Sequence, residues 1–314
     1  MKISDNYIIR DYKKGDEEGI TALFRNVFGK IMTIEQWRWK YLFQGNRIYS
    51  KLVEDHSGEI IAYAGAIRLR GIFKNRTIPF FQISDVMIHT KARGYLGKKN
   101  VFDSLMKTLF EDIAGEFPEV FCYGFPGSRP YILGKRVGVY DRVEQAIECV
   151  NRLQKSRFNL FSIKRIDWDD SRLDSLWERL SNDFSLSLMR DKGYLYWRYA
   201  INPFFSYQLL GFFFLGKLKG WGVTREQGEN VFLVDLLTER KRCRSVLKAL
   251  ENYLLSQGKK TIRLWLPESW RKDITDYSKK ETEVVVTNMV WKLPIQTSFA
   301  RDKLYYTMGD ADIF

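Results

Sequence analysis

The pattern of apolar positions changes its period near residue 90. Residues 81–89 contain Ile83, Val86 and Ile88 with few charges, which is typical of a mostly buried strand. Further on, apolar residues recur at every fourth position, which indicates an amphipathic helix: Val101, Leu105, Leu109 and Ile113. Between them, residues 91–100 read KARGYLGKKN, a loop with two glycines and four cations. The sequence therefore predicts a strand, a cationic loop and a helix in succession.

Such a loop before a helix can bind a phosphate group. Free backbone N–H groups and the positive end of the helix dipole attract an anion there, and Arg93, Lys98 and Lys99 add positive charge. A basic turn before a helix is also common as a solvated surface. The loop alone leaves both interpretations open.

The same reading predicts mixed helices and strands along the whole chain. In the first half we expect strands at 7–10, 49–54, 60–69, 76–80 and 119–125, helices at 17–28 and 34–43, and a closing strand to about 150. Residues 56–59 are expected to form a hairpin turn between two of these strands. In the second half we expect helices at 171–180 and 246–255.

The second half repeats the first in an ordered series of matches. The triplet at Trp39 matches the triplet at Trp197, and the four residues from Ser84 match the four from Val234. Each copy then passes through a cationic loop into a helix and on to a strand that ends in proline. The series predicts two copies of one fold. We place an N-terminal domain at 1–152, a linker at 153–170 and a C-terminal domain at 171–314.

Composition narrows the function classes. The 314 residues are 45% hydrophobic, enough for a sizeable core, and the net charge of +13 implies attraction to a phosphorylated cofactor, nucleic acid or an anionic membrane surface. Three cysteines without metal-ligand spacing and only two histidines favour a reduced, cytoplasmic protein without a metal centre or a Ser-His-Asp triad. The longest apolar run, 209–215, is too short to cross a bilayer, so no membrane span is expected.

This order of elements resembles the GNAT superfamily of N-acyltransferases, in the tandem form found in some bacterial proteins. In that family an Arg/Gln-x-x-Gly-x-Gly/Ala turn binds the pyrophosphate of acetyl-coenzyme A. Arg93 and Gly94 match, but Leu96 and Lys98 occupy the later small-residue positions unless a longer loop brings in Gly97. Residues 124–138 resemble the family's later motif, with Gly134 where the family often has a tyrosine. The resemblance implies an α+β class with two GNAT-like domains, each a mixed, mostly antiparallel sheet flanked by helices.

The resemblance also implies a cofactor site for acetyl-coenzyme A. Its phosphates would lie on the turn, and its pantetheine arm would meet the backbone of the preceding strand. The residues implied are Val86, Met87, Ile88, Arg93, Gly94, Tyr95, Gly97, Lys98 and Lys99. The side chains of the first three are equally typical of core. The second copy has no glycine in its turn at 239–244, so we expect tighter coenzyme A binding by the N-terminal half.

Two residues are candidates for the chemistry. Asp85 lies in an apolar strand beside the implied thioester, where a carboxylate can take the proton of an attacking amine through water. The alternative is a structural Asp that caps a neighbouring loop or pairs with an arginine, because Asp235 repeats it in the second copy. Tyr131 is the candidate proton donor to the leaving thiolate, although it, Tyr123 and Tyr140 are also typical of core. His89 is either a base or a solvated strand end.

These residues favour transfer of an acetyl group from acetyl-coenzyme A to a primary amine by direct attack. The acceptor would be a small molecule, or a sugar or peptide amine. One alternative is a non-catalytic binding protein on a decayed acyltransferase scaffold. Another is a Fem-like aminoacyl transferase that uses charged tRNA, the one interpretation with a nucleic-acid partner. The glycines of the first turn favour coenzyme A, since a tRNA user does not need a tight pyrophosphate turn. Six aromatic residues in and beside the two tryptophan triplets line an acceptor groove or belong to the core: Trp37, Trp39, Tyr41, Tyr196, Trp197 and Tyr199.

Overall fold

The computed structural model describes the backbone of residues 2–4 and, with side chains, residues 7–43, 47–92, 100–156 and 160–312. The first half contains, in order, β1 (Lys2–Ser4), β2 (Tyr7–Asp11), α1 (Glu17–Phe28), α2 (Ile34–Tyr41), β3 (Tyr49–Asp55), β4 (Ile60–Phe73), β5 (Arg76–Ile88), a 3-10 turn (Thr90–Ala92), α3 (Val101–Glu116), β6 (Phe121–Gly124), α4 (Ser128–Arg136) and β7 (Tyr140–Arg152).

The second half follows a similar order. It contains β8 (Ser162–Arg165), α5 (Arg172–Ser181), β9 (Leu186–Leu188), α6 (Lys192–Leu195) with a π-helical turn (Tyr196–Ala200), β10 (Gln208–Phe214), β11 (Lys217–Gln227), β12 (Asn230–Thr238), a 3-10 turn (Arg240–Arg242), α7 (Cys243–Ser256), β13 (Thr261–Trp265), α8 (Glu268–Arg271), β14 (Ser278–Met289), α9 (Thr297–Lys303), β15 (Leu304–Tyr305) and a 3-10 turn (Met308–Asp310).

The chain divides into two compact units, each discontinuous in sequence. Unit 1 comprises Met1–Arg70, Ile78–Val143 and Val285–Ala300. Unit 2 comprises Gly71–Thr77, Glu144–Val284 and Arg301–Phe314. The domain limits expected from the sequence, 1–152 and 171–314, stay a prediction.

The sheet of unit 1 has the strand order β1-β2-β3-β4-β5-β6-β14. The pairs β2–β3, β3–β4 and β6–β14 are antiparallel, whereas β5 and β6 are parallel. The predicted hairpin at 56–59 is confirmed, because β3 pairs with β4 across it. Helix α3 packs its apolar stripe into the buried core of this unit, as its four-residue period predicts.

The sheet of unit 2 has the order β7-β13-β12-β11-β10-β8. In this sheet the neighbouring strands are antiparallel except for β12 and β13, which are parallel. A smaller group lies off this path, in which β9 pairs with Gly71 to Phe73 of β4 and with β15. The α+β class with mostly antiparallel sheets flanked by helices is therefore confirmed.

Each unit obtains its closing strand from a distant part of the chain. In unit 1 the strand beside β6 is β14, through Thr287 opposite Gly124. In unit 2 the strand beside β13 is the end of β7, through Glu148 opposite Trp265. Each sheet therefore contains a strand that lies far along the chain from its neighbour.

Helix α2 has both a start signal and a packing reason. Thr33 accepts a hydrogen bond from the Gln36 N–H, and the Gln36 side chain accepts from the Thr33 N–H, which forms a capping box. Its inner side carries Trp37 and Tyr41, both buried. Gly65 of β4 leaves the space in which the Tyr41 ring lies, since a Cβ there would clash with that ring. In this way α2 is held against β4.

No helix in the described part of the chain is long and apolar enough to span a membrane.

Candidate functional site

In unit 1, strand β5 extends beyond the end of its parallel neighbour β6. Their parallel pairing runs from Phe80 opposite Phe121 to Ile83 opposite Gly124, where β6 ends. Strand β5 continues to Ile88. A strand edge that extends beyond its neighbour can pair with an extended ligand. The predicted pantetheine contacts lie on this extension: Met87 is fully buried, whereas Val86 and Ile88 are half-buried and pack against the core cluster.

Asp85 lies at an irregular point on this extension. Its φ of 51° is in the left-handed region, unusual for a residue other than glycine. Its carboxylate accepts hydrogen bonds from Lys40 Nζ at 2.8 and 2.9 Å and from the Tyr41 hydroxyl at 2.7 Å. The Asp85 side chain is 5% exposed and that of Lys40 8%. The ion pair therefore connects α2 to the edge of β5.

This geometry bears on both roles considered for Asp85. A carboxylate that accepts three hydrogen bonds from α2 is a structural connection, as the second interpretation requires, with lysine in place of arginine. To act as a base it must exchange one of these bonds for a water or an amine. Its part in proton removal stays a prediction.

The residues of the predicted phosphate turn, Arg93, Gly94, Tyr95, Gly97, Lys98 and Lys99, lie outside the described residues. The structure describes the two ends of the turn. Before it, Lys91 forms ion pairs with Asp55 and Glu59, at 3.1 and 2.5 Å. After it, the Asn100 side chain accepts from the Phe102 N–H at 2.9 Å and caps α3. The predicted strand and helix thus flank the turn.

The three candidate tyrosines occupy different environments. Tyr131 is half-buried on α4 and packs against the core cluster. Tyr123 is buried on β6. Tyr140 is fully buried, and burial raises the pKa of its hydroxyl far above the usual range. Gly134 is glycine because the Tyr140 ring fills the space that a Cβ would need. Tyr140 is core, and the donor role of Tyr131 stays a prediction.

His89 is half-buried. Its Nδ1 accepts from the Lys91 N–H at 3.2 Å, and its own backbone N–H donates to the Ile61 carbonyl at 2.8 Å. It lines a groove of about 500 Å³ in unit 1, together with α1 and the β3–β4 turn. Arg10, Asp16, Glu18 and Glu59 also line this groove, so acidic residues outnumber the arginine in its lining. An acidic lining disfavours the phosphates of coenzyme A, so the cofactor prediction stays with β5 and the following turn.

Unit 2 repeats the aspartate arrangement with other partners. Asp235 accepts hydrogen bonds from the Tyr199 hydroxyl at 2.9 Å, as Asp85 does from Tyr41. Its cation is Arg190, at 3.0 Å, and both side chains are fully buried. Thr307 also donates to it, at 2.9 Å. The tyrosine–aspartate bond is therefore common to both units, which supports their common origin.

The strand edge in unit 2 is already occupied. The Leu236 N–H donates to the Asp235 carboxylate at 2.9 Å, and the Leu236 carbonyl accepts from the Tyr305 hydroxyl at 2.6 Å. Leu236 corresponds to Val86, because each directly follows its aspartate. Side chains of unit 2 thus take the positions at which an extended ligand would bind the backbone of β12.

The cationic turn of unit 2 is neutralised by carboxylates. Arg240 pairs with Asp273 at 2.9 Å and Arg244 with Asp276 at 3.3 Å, and Glu239 binds both Lys241 and Arg242. Such pairing reduces the attraction for a phosphate or a nucleic acid.

Four of the six aromatic residues considered for an acceptor groove are core. Trp37, Tyr41, Trp197 and Tyr199 are buried, which confirms that interpretation for these four. Trp39 is half-buried and Tyr196 is half exposed. Sequence reasoning missed the partner roles of Lys40 and Arg190. The available signal was the matched spacing of a tyrosine and an aspartate in both copies, Tyr41 with Asp85 and Tyr199 with Asp235.

Comparison with known proteins identifies the fold. Residues 8–138 match the family model described as an acetyltransferase (GNAT) domain. A probable N-acyltransferase of unknown function from Enterococcus faecalis V583 is 15% identical, with a TM-score of 0.72 over 94% of this chain and 75% of that one. A GCN5-related N-acetyltransferase from Anabaena variabilis is 8% identical, with a TM-score of 0.68 over 91% and 73%.

Saccharomyces cerevisiae N-myristoyltransferase, solved with bound myristoyl-CoA, is 9% identical, with a TM-score of 0.60 over 92% of this chain and 83% of that one. A search among curated proteins found no match. At these identities the structural likeness establishes the fold alone.

Proposed function

Because residues 8–138 carry a GNAT acetyltransferase domain, we propose that the protein is an N-acyltransferase that uses acyl-coenzyme A. The observation that carries the proposal is that β5 extends beyond the end of β6 in unit 1, directly before the segment predicted to be a cationic glycine turn and before helix α3. An extended pantetheine arm fits such an edge, and a helix N-terminus fits its phosphates.

The reaction proposed is acetyl transfer to a primary amine. The amine nitrogen forms a bond to the acyl carbon, the carbon–sulfur bond breaks, and coenzyme A leaves as the thiolate. One amine proton must pass to a base, and the thiolate must gain a proton. Asp85, through water, is the proposed base and Tyr131 the proposed donor. The backbone of Val86, Met87 and Ile88 is proposed to hold the pantetheine arm.

The phosphate site is proposed at Arg93, Gly94, Tyr95, Gly97, Lys98 and Lys99 of the first turn. Two observations in unit 2 support the choice of the first copy: side chains already bind the Leu236 backbone, and carboxylates pair with the cations of its turn. The charge of +13 suits coenzyme A, which carries several negative charges.

Thermal-shift measurements on the full chain test the class of donor. We expect acetyl-coenzyme A and coenzyme A to raise the melting temperature, because a ligand at about 100 times its Kd stabilises the folded state by about 2.7 kcal/mol. We expect no comparable shift with tRNA. A shift with tRNA alone would favour the Fem-like alternative, and no shift with any of the three would favour a binding protein on a decayed scaffold.

A further inference from the structure

The end of β5 is joined to the β3–β4 hairpin by ion pairs. Lys91 lies in the 3-10 turn (Thr90–Ala92) that follows β5. Its ammonium group pairs with Asp55 at 3.1 Å and with Glu59 at 2.5 Å, one on each side of the hairpin tip. Lys91 lies 36 and 32 residues from these two partners along the chain. A single side chain therefore connects two elements that the sequence keeps far apart.

The Asp55 carboxylate is built into the hairpin. Its Oδ1 accepts hydrogen bonds from the N–H groups of Ser57 and Glu59, at 3.0 and 3.1 Å, and from the Ser57 hydroxyl at 2.6 Å. Its Oδ2 accepts from Lys91. The Ser57 hydroxyl, followed by Lys91, lowers the pKa of Asp55, although burial acts in the opposite direction. The side chain is 9% exposed, so Lys91 is attached to a fixed, ionised group.

Backbone hydrogen bonds extend this attachment to β5. The Lys91 N–H donates to His89 Nδ1 at 3.2 Å, and the Ala92 N–H donates to the His89 carbonyl at 2.9 Å. The His89 N–H donates to the Ile61 carbonyl of β4 at 2.8 Å. The 3-10 turn is therefore held by β4 and by the hairpin tip, directly after the strand edge formed by Val86 to Ile88.

Unit 2 joins the corresponding elements in another way. Lys241 corresponds to Lys91, because each lies six residues after the matched aspartate of its unit. Lys241 is 79% exposed and pairs with Glu239, directly before its own 3-10 turn, at 3.1 Å. Phe214 and the three residues after it, at the tip of the β10–β11 hairpin, include no acidic residue. There the Arg242 guanidinium lies 5.4 Å from the centre of the Phe214 ring. Both units thus join the hairpin to the turn, and unit 1 does so with carboxylates.

We propose that Asp55, together with Glu59, positions the end of β5 for coenzyme A by holding Lys91. Lys91 then acts as an anchor and not as a phosphate ligand. A site whose geometry is fixed before the ligand arrives loses less conformational freedom on binding, and so binds more tightly. This inference rests on the proposed function, because the strand edge that the anchor holds is part of the proposed cofactor site.

Asp55→Asn isolates the anchor. Asparagine keeps an oxygen at the Oδ1 position for the hairpin N–H groups, but at the Oδ2 position it has an NH2 group, which cannot accept from Lys91. In calorimetric titration of the full chain with coenzyme A, we expect the Kd to rise about two- to fivefold, the range of a partly exposed ion pair. If Lys91 bound phosphate directly, loss of a neighbouring carboxylate would leave the Kd unchanged or lower it, and either result would overturn the proposal.

Asp170→Asn is the matched control. The Asp170 side chain lies in unit 2, is 13% exposed and pairs with Arg172, which is 51% exposed. This substitution removes one negative charge, as Asp55→Asn does, and should leave the Kd for coenzyme A unchanged. An equal rise in the Kd for both variants would overturn the proposal.

Variants of Lys91 test whether it acts through Asp55. Lys91→Arg should keep the wild-type Kd, because a guanidinium can pair with both carboxylates. Lys91→Met should weaken binding about as much as Asp55→Asn, and the double variant should show little further loss. A second full loss in the double variant would show that the two residues act separately, and would overturn the proposal.

Hydrogen exchange of the Ala92 amide tests the anchor in the free protein. Because the anchor stabilises the 3-10 turn, we expect this amide to exchange about two- to fivefold faster in Asp55→Asn, and at the wild-type rate in Asp170→Asn. An unchanged rate in Asp55→Asn would overturn the inference. Faster exchange in a chain whose wild-type form did not bind coenzyme A would contradict the proposed function and support the anchor itself.

Discussion

Asp85 combines a buried ion pair with a position on the strand edge proposed to bind the cofactor. Breaking a buried pair by removal of one partner is strongly destabilising, whereas replacing both partners is much less so. We expect Asp85→Asn to lower the free energy of unfolding by about 3–5 kcal/mol, because Lys40 stays buried without its carboxylate. The double variant Asp85→Asn with Lys40→Met should regain most of the lost free energy of unfolding, as measured by urea unfolding.

The double variant also separates stability from chemistry. If Asp85 is the base, turnover of an acceptor amine should fall by about 10²–10⁴-fold in the single and the double variant alike. Full activity of the stable double variant would show that Asp85 has only a structural role.

Asp310 provides a pH-dependent stability term in unit 2. Burial raises the pKa of its carboxyl, Arg190 and the hydrogen bonds from Thr307 lower it, and the neighbouring Asp235 raises it, with a net pKa of about 6. A folded-state pKa above the unfolded value means that the folded state binds the proton more tightly. The contribution of this group to stability therefore increases as the pH falls through 6.

We expect Asp310 to raise the free energy of unfolding by about 1 kcal/mol between pH 7.5 and pH 5. Asp310→Asn should remove this part of the slope in urea unfolding measured across that range. Asp302→Asn, at an exposed position, is the control and should keep the slope. An identical slope in Asp310→Asn and the wild-type protein would contradict this origin of the pH dependence.

At the scale of single residues, the sequence revealed the positions but not the partners. Asp85 and Tyr41 each have a counterpart at a matched place in the second half, so they could be singled out. Lys40 could not, because a lysine on a helix is usually solvated and its burial depends on how α2 meets β5. The turn at 93–99 is predicted from its residues alone, because these positions lie outside the described residues.

At the scale of elements, the contact between α2 and β4 depends on one glycine. A Cβ at Gly65 would overlap the Tyr41 ring and displace the side chain that binds Asp85. We expect Gly65→Ala to destabilise the protein by about 1–3 kcal/mol, as overpacking of a core usually does. Gly115→Ala is the matched control, since no atom lies within 4 Å of a Cβ at that position in α3. There alanine should be neutral or stabilise by about 0.5–1 kcal/mol.

Equal melting temperatures for Gly65→Ala and Gly115→Ala would contradict this account of the α2 contact.

The elements themselves were largely predictable, because α3 has a clear four-residue period and the β3–β4 hairpin has a clear turn signal. Periodicity specifies an element but not its neighbour in a sheet. The pairing of β6 with β14 and of β13 with β7 was therefore not predictable in this way.

At the scale of the whole molecule, the pairing of β6 with β14 predicts that the first half of the chain cannot fold alone. A fragment of residues 1–152 lacks β14, which pairs with β6 through Thr287 and Asn288. We expect this fragment to show no cooperative thermal transition, because β6 would keep an unpaired edge. A peptide of residues 278–300 added in trans should restore a transition. A fragment that melts as cooperatively as the full chain would support the contiguous domain limits instead.

Calorimetric titration with coenzyme A tests most directly whether unit 1 binds acyl-coenzyme A through its first cationic turn, as proposed. We expect one site per chain. Arg93→Ala with Lys98→Ala should weaken binding by about tenfold or more, because each substitution would remove a charged hydrogen bond to phosphate from the proposed site. Arg242→Ala with Arg244→Ala is the matched control and should change the Kd by about twofold or less, since carboxylates already pair with these cations. Equal losses from both pairs of substitutions, or no binding by the wild-type chain, would contradict the account.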